Sequence, residues 1–470
     1  MSKLEEVFGK AAQAAARYRE AVAADPKPPV DYHAMRERVA AVLPETAGDP
    51  EAIIDELVAL ADGWLMPITG PRFFGWVMGA SHPVGVAADF LVTAWGQNTG
   101  YHSPTPATSA LEEIAERWLL ELLDLPRESA IGFATGATVA NGTCLAAART
   151  ATLLKAGWDP DADGLFGAPP VHVLIGADAH SSLFSSLQLI GFGYKRVVTI
   201  ETDGQGRMKP AALEAAIRPL DGPKIVIAQA GQINTGAYDP FTEIAAIGKT
   251  HDAWLHVDGA FGLWARAAPE LRHLTDGLEA FDSWCTDGHK WLQVPYDCGF
   301  AIVRDKQMLA RAMTQWSTYL PTISQGDRVP SAYVPELSRR ARGVPVWALI
   351  KAYGRQGIAA MVERHCALAR RFAGRLAEEP GIRILNDVVI NQVIVNFGEG
   401  DAAQRKAFTE RVIAKVQGGG VCYAGGAQWR GDWVMRLSVI SAPTTEADID
   451  MSAEAIIAAW RAVQAESSKA

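Results

Sequence analysis

Cysteine is sparse in this chain of 470 residues: Cys144, Cys285, Cys298, Cys366 and Cys422 are odd in number and scattered, and none stands in a CxxC pair. That pattern excludes a disulfide framework and a thiolate zinc site, and it reads as reduced thiols in a cytoplasmic protein. Positive charge is also short, with 44 Lys and Arg against 53 Asp and Glu and a formal net charge of −9. Without a concentrated basic surface, no nucleic-acid partner is expected. No run of about 18 uninterrupted apolar residues occurs, so no membrane span or membrane partner is expected. The N-terminus carries Lys3, Glu5 and Glu6 in place of an apolar core before a cleavage site, so no signal peptide is expected. HExxH is missing too and the histidines do not group, so no metal is expected; His251 and His256 read as a helix end and a strand.

What is present is ordinary globular material, 49% hydrophobic and 21% charged, enough for two or three domains at roughly 100–200 residues each. Residues 1–83 read as a helical segment, with helices over 4–24, ending before Pro26 and Pro28, and over 50–60. It is thin in large apolar residues, so it is expected to pack on another part of the chain or on another subunit. Residues 84–344 alternate helical stretches (109–123, 139–154) with short apolar runs at 130–133, 171–175, 196–200, 224–228, 254–257, 283–285 and 299–303. Strands apolar on both faces, separated by helices, predict an α/β domain with a mostly parallel central sheet. The segment 315–343, with Gly326, Pro330, Pro335 and four arginines, breaks the rhythm and reads as a long functional loop. Residues 345–470 read as a smaller α/β domain: a helix to about 379, a strand over 388–396, a Gly-rich loop over 418–427, a strand over 434–439 and a closing helix over 446–465.

Four places in the larger region carry chemistry, each at the carboxyl end of an expected strand, where α/β proteins bind ligands. Lys290, in Thr286-Asp287-Gly288-His289-Lys290-Trp291, can form a Schiff base with an aldehyde cofactor. Asp258, in Leu255-His256-Val257-Asp258-Gly259-Ala260, ends an apolar strand, where a carboxylate is costly unless paired. Opposite a pyridine nitrogen it would keep that nitrogen protonated, and small Ala260 leaves room for a flat ring. Thr135-Gly136-Ala137-Thr138 precedes a helix, whose first amides and the Thr138 hydroxyl suit a phosphate. It lacks the P-loop lysine and the dinucleotide glycine spacing, which counts against ATP and NAD. His180, in Asp178-Ala179-His180-Ser181-Ser182, can stack on a ring. Taken singly, these are a surface lysine, a turn aspartate, a common strand–turn–helix and a solvated histidine. Together they supply what pyridoxal 5′-phosphate (PLP) requires: one group for each end of the cofactor, one for its face and one for its aldehyde.

The stretches LHVDGAFG (255–262), DGHKWLQVPYDCG (287–299), DAHSS (178–182) and HSPTPATSALE (102–112) make the likeness specific. From about Pro71 onward the chain resembles the group II PLP-dependent amino-acid decarboxylases, the family of aromatic-L-amino-acid and glutamate decarboxylases. The resemblance implies the type I fold of PLP-dependent transferases, an internal-aldimine lysine at Lys290 and a pyridinium partner at Asp258. It further implies His180 stacked on the ring, phosphate contacts from Ala137, Thr138 and His289, and Asn234, in GQINTGAYDP (231–240), near the ring hydroxyl. It implies a homodimer with shared active sites, embraced by the N-terminal segment, acting on an amino acid to give an amine and CO2. A family loop tyrosine that returns a proton falls at Tyr333, counted forward from Thr318-Tyr319-Leu320, although the loop is about three residues shorter here before Ser338-Arg339-Arg340. Where aromatic decarboxylases carry bulk, Trp95-Gly96-Gln97-Asn98-Thr99-Gly100-Tyr101-His102 is small and polar, so a polar, small or unusual aromatic substrate side chain is expected. Phe73, Phe74 and Trp76 add aromatic surface. The alternative outcomes on such a scaffold are oxidative deamination to an aldehyde, transamination and aldol cleavage.

Overall fold

A computed structural model describes residues 2–24, 31–314 and 327–468. Pro26, Pro28 and positions 315–326 of the expected loop, including Thr318-Tyr319-Leu320, lie outside the described residues. The chain divides into two compact units: Ser81–Ala369 with Asn386–Gln392, and Met1–Ala80 with Arg370–Leu385 and Val393–Ala470.

The larger unit is built on seven strands: β1 (Ala130–Ala134), β2 (His172–Gly176), β3 (Val198–Ile200), β4 (Lys224–Gln229), β5 (Trp254–Asp258), β6 (Ser283–Asp287) and β7 (Gly299–Val303). Their spatial order is β1-β7-β6-β5-β4-β2-β3. Pairing is parallel from β3 through β6, while β7 runs antiparallel to both β6 and β1. A parallel return needs a crossover of a dozen or more residues, usually helical. Residues 288–298 contain no helix, so the chain turns straight back as β7, and the segment bearing Lys290 stays at the carboxyl edge of β6. Strands β1, β6 and β7 are buried at every position, as expected for a sheet covered on both faces. The expected strand over 196–200 begins only at Val198, because Tyr194–Arg196 forms a 3-10 turn.

The helix Ala137–Lys155 lies across β5, β6 and β7. Its small residues Ala140, Cys144 and Ala147 pack against Ala130, Ala134 and Ala301, which lets helix and sheet approach closely. One polar chain runs through this interface. The Trp254 indole N–H donates to Ser283 Oγ (2.9 Å), Ser283 Oγ meets His256 Nδ1 (2.9 Å), and His256 Nε2 meets Asn141 Oδ1 (2.8 Å). With Ser283 donating to Nδ1, the imidazole proton rests on Nε2 and points at the helix. His256 is therefore a neutral strap that fixes the helix whose N-terminus begins at the candidate site.

In the smaller unit a four-stranded sheet has the order β10-β11-β9-β8, from β8 (Ile382–Ile384), β9 (Gln392–Phe397), β10 (Gly425–Trp429) and β11 (Asp432–Ser438). The strand expected from 388 starts only at Gln392, since Val388 has a positive φ of 46° that no strand accommodates. The expected Gly-rich loop is largely structured: a helix continues to Gly419, and Gly425 and Gly426 belong to β10. A Cβ on Gly426 would lie 2.5 Å from the Trp433 ring, so glycine there serves packing. Within this unit the N-terminal residues dock on the chain's own C-terminal part. Ser441 Oγ donates to the Gly70 carbonyl (2.9 Å), Thr444 Oγ1 to that of Pro71 (2.7 Å), and Arg72 pairs with Asp448 (3.0 Å). Phe73 and Phe74 are fully buried there, so only Trp76 of the three expected aromatics offers surface.

Burial pushes the His256 imidazole down to about 3. Between that value and the ordinary ~6.5, the unfolded chain takes up a proton that the folded chain refuses, so stability falls as pH falls through this window. His256→Asn, which does not titrate, should flatten the acid limb by on the order of a few kcal/mol in urea melts between pH 6.5 and pH 4. An unchanged acid limb would count against the neutral-strap account.

Candidate active site

At the carboxyl edge of the larger sheet, β1 ends and Thr135-Gly136 leads into the helix Ala137–Lys155, whose first amides carry no side-chain cap. Two glycines bring this turn against the start of β7, since a Cβ on Gly299 would lie 2.5 Å from Gly136 Cα. His289 stands beside it, with Tyr296 stacked on its ring at 4.3 Å. The Cys298 backbone N–H donates to His289 Nδ1 (3.1 Å), so the proton sits on Nε2; burial lowers the imidazole pKa, which keeps the ring neutral. Free helix amides, the Thr138 hydroxyl and a neutral N–H donor together make an anion cradle.

Asp258 ends β5 and is buried. Its Oδ1 accepts the Ala260 N–H (3.2 Å) and the Cys285 thiol (3.4 Å). Those two bonds fix the carboxylate plane. Lys290 extends from the β6–β7 return, its Nζ 2.9 Å from Asp287 Oδ2. Its backbone is held by Gln293, whose side-chain amide donates to the Lys290 and Trp291 carbonyls (3.1 and 3.2 Å). His180 is the N-cap of the helix Ser181–Leu189, its Nδ1 accepting the Ser182 N–H (3.2 Å), which leaves the other ring nitrogen as the protonated one.

Ala137, Thr138, His180, Asp258, Ala260, His289 and Lys290 all line one cavity of about 360 Å³, a size suited to a phosphorylated pyridine. The structure does not bring the other two expected residues into that lining. Asn234 is buried, its N–H donating to Gln232 Oε1 (2.6 Å) and its own Oδ1 without a partner among the described residues. Tyr333 ends the 3-10 turn Pro330–Tyr333, with its ring 5.2 Å from the Arg328 guanidinium. A Cβ on Gly132 of β1 would collide with the Tyr333 carbonyl, so this turn rests directly on the sheet. Residues 95–102 also stay out of the lining, and their polarity has a local use. Asn98 Oδ1 accepts the Arg339 N–H (2.9 Å), the Thr99 N–H donates to the Arg339 carbonyl (3.1 Å), and a Cβ on Gly100 would meet the Leu337 carbonyl at 2.5 Å.

Asp287, Gly231 and Phe261, none of them expected as site residues from the sequence, line the same cavity. Asp287 carries the same signal as Asp258, an acid ending an apolar strand, and stands three residues before Lys290. Gly231 has a φ of 89°, and its Cβ would lie 3.1 Å from the Phe261 ring, a requirement that only the fold reveals.

An α/β sheet with an amine, a buried carboxylate and an anion cradle around one cavity defines an enzyme that uses a phosphorylated aldehyde cofactor. Residues 33–397 match the family model described as the pyridoxal-dependent decarboxylase conserved domain, and the chain belongs to that family. It is 26% identical over 433 residues to the aromatic-L-amino-acid decarboxylase of Bacillus atrophaeus, covering 88% of this chain and 86% of that one. It is 28% identical over 451 residues to tyrosine decarboxylase 2 of Arabidopsis thaliana, covering 91% and 80%. Among solved structures, that of Oryza sativa TDC with PLP and tryptamine superposes with a TM-score of 0.90 at 22% identity, covering 97% of each chain, which shows the shared fold. The protein is a PLP-dependent amino-acid decarboxylase with the α/β type I fold of this enzyme class.

Lys290→Ala should abolish the absorbance near ~420 nm of lysine-bound cofactor, and it should lower the melting temperature of the cofactor-free protein, because Asp287 then loses the amine 2.9 Å away. Unchanged absorbance would move the attachment point to another lysine.

Proposed function

We propose that the enzyme releases CO2 from an aromatic L-amino acid, with Lys290 as the point of cofactor attachment. The observation that removes the polar reading is that residues 95–102 stay out of the cavity lining, with the Asn98 amide oxygen spent on the Arg339 N–H and the Thr99 hydroxyl on that of Thr108. The polar character of residues 95–102 is used to hold the chain together and is no argument for a polar substrate. Relatives named for aromatic-L-amino-acid and tyrosine decarboxylation support the aromatic reading. When bound, the cofactor supplies an electron sink for the pair left behind by CO2. The chain's residues orient and hold charge. Asp258, its Oδ1 tied down by Ala260 and Cys285, presents its remaining oxygen to a pyridinium N–H. Ala137, Thr138 and His289 Nε2 would hold the phosphate and His180 would cover the ring face, while Asn234, outside the cavity lining, is given no contact in this reading. Orientation of the carboxylate to be lost and the fixed charges around it account for the protein's share of the rate.

In the same reading the enzyme is a cytoplasmic homodimer. The helix Pro83–Trp95 leaves Val84, Val86, Phe90, Leu91 and Trp95 exposed, an apolar group of the kind that a second subunit would cover. Among the described residues no helix is long and apolar enough to cross a membrane. Tyr333 returns the proton to the product carbon. Its place outside the cavity lining of its own chain fits a site shared between subunits. Burial raises the Tyr333 pKa, which keeps the hydroxyl protonated and able to donate at neutral pH.

Two measurements test this reading. A screen of the twenty common amino acids for CO2 release should give turnover with the aromatic ones; turnover confined to acidic or small side chains would overturn the substrate class. Tyr333→Phe should keep CO2 release but divert product from amine to aldehyde, with O2 consumed and ammonia and hydrogen peroxide formed. Undiminished amine yield from that variant would remove Tyr333 as the donor.

A further inference from the structure

Asp287 ends β6 with its side chain only 2% exposed. One oxygen, Oδ2, lies 2.9 Å from Lys290 Nζ and 3.6 Å from His289 Nε2. Because Cys298 donates to His289 Nδ1, it is the N–H of Nε2 that faces this carboxylate. The other oxygen, Oδ1, is buried without a hydrogen-bond partner among the described residues. It looks toward the turn before the helix Ala137–Lys155, where a Cβ on Gly136 would lie 3.5 Å away. A fixed anion therefore stands at the anion cradle, and it faces both groups that a phosphorylated aldehyde must take over: the amine and the imidazole N–H.

We propose that Asp287 is an internal counter-ion that keeps Lys290 and His289 in position while the site is empty and competes with the cofactor for both. This rests on the reading above that these two residues face the cofactor. The physical argument is one of charge in a confined place. A buried carboxylate is costly unless paired, and here its pairing comes from Nζ at 2.9 Å, with the Nε2–H dipole facing it from 3.6 Å. Filling the site withdraws both partners and sets a phosphate beside the same carboxylate, where like charges repel more strongly than in water. Both effects act against retention of the cofactor and neither acts against folding of the empty chain. The empty protein thus keeps a formed site, and the filled one gives up its cofactor more readily than a neutral residue at 287 would allow. Asp287 is a positioning residue for Lys290 and His289, and it sets how exchangeable the cofactor is.

The test compares holoenzyme of the wild type, Asp287→Asn and Asp287→Ser for loss of PLP on dilution, followed by the decay of the ~420 nm absorbance of lysine-bound cofactor. The neutral variants should release PLP about tenfold more slowly than the wild type. In the cofactor-free state they should melt at a lower temperature than the wild type, and saturating PLP should raise their melting temperature by more than it raises that of the wild type. Release at an equal or faster rate would overturn the proposal, since Asp287 would then be neutral toward the cofactor or help to hold it. Failure of both variants to fold would overturn it as well, because the pair would then be structural and not exchangeable. A wild-type protein that shows no lysine-bound cofactor would instead overturn the attachment at Lys290, a result separable from the other two.

Discussion

A strand that must turn back within the span 288–298 cannot re-enter the sheet in parallel, and the site depends on that constraint. The return is held shut by its own backbone: the Gly288 and His289 N–H groups both donate to the Cys298 carbonyl (3.0 and 3.2 Å), and the Val294 N–H donates to that of Gly288 (3.0 Å). Trp291 is fully buried, its indole N–H donating to His365 Nδ1 (2.9 Å). A Cβ on Gly288 would meet Cys298 Sγ and Phe300 at 2.9 Å, so the loop closes as tightly as its atoms permit. The lysine backbone is thereby fixed while its long side chain is left to reach across the cavity. Parallel pairing of β5 with β6, in which Asp258 stands opposite Cys285, sets the carboxylate on the adjoining strand. Amine and acid are thus placed by sheet register and not by a mobile loop, which suits a reaction that needs fixed geometry.

The buried polar groups behind the site are, by contrast, largely satisfied. His256 is neutral and used at both nitrogens, and Asp258 Oδ1 has two donors. Such networks add stability only when nearly complete, because an unpaired group in a low-dielectric interior costs the whole of its desolvation. Asp287 departs from that pattern on the cavity wall itself. Its Oδ1 has no donor among the described residues, and its Oδ2 is paired with groups whose duty lies elsewhere. A carboxylate in that place leaves one oxygen unsatisfied whether or not the amine is beside it, which is the cost that the proposed role in ligand exchange sets against the stability of the empty site.

How much of this could be read beforehand follows from the range of the interactions involved. The strands of the larger sheet and the residues at their carboxyl ends were readable because both are local. An apolar run declares a buried strand, and Lys290, Asp258 and the turn at Gly136 each follow one directly. The antiparallel course of β7 was not seen, since it follows from the missing helix after β6 and not from the composition of β7. The polar stretch 95–102 pointed to a polar substrate because its partners, Leu337–Arg339, are some 240 positions away in the chain. Phe73 and Phe74 misled for the same reason: their burial comes from the C-terminal part of the smaller unit, as where the Phe74 ring meets Phe372 edge-on at 5.1 Å.

The same long-range logic explains why a tyrosine outside the cavity lining still has a defined place. Arg339 reaches Glu112 with both terminal nitrogens (2.9 and 2.8 Å), and Arg328 bonds Glu112 (2.8 Å), Glu116 and the Ile131 carbonyl (2.9 Å). Burial alone would push the Glu112 carboxyl up, but the two guanidinium groups outweigh it and hold the acid below the ordinary carboxylate range. Exposed ion pairs contribute little, yet removing one member of a buried cluster commonly costs about 3–5 kcal/mol, because the remaining charges are left without partners. The described residues on either side of Tyr333 are therefore fastened to the helix Pro106–Leu122 and to β1 by charges that cannot easily be exchanged for water. Arg328, which lies over the Tyr333 ring, is itself one of those fastenings. In the proposed reading the Tyr333 phenol acts only after CO2 has left, so it must be in place at that moment and no earlier step selects for it. An anchored turn provides that where a single hydrogen bond would not.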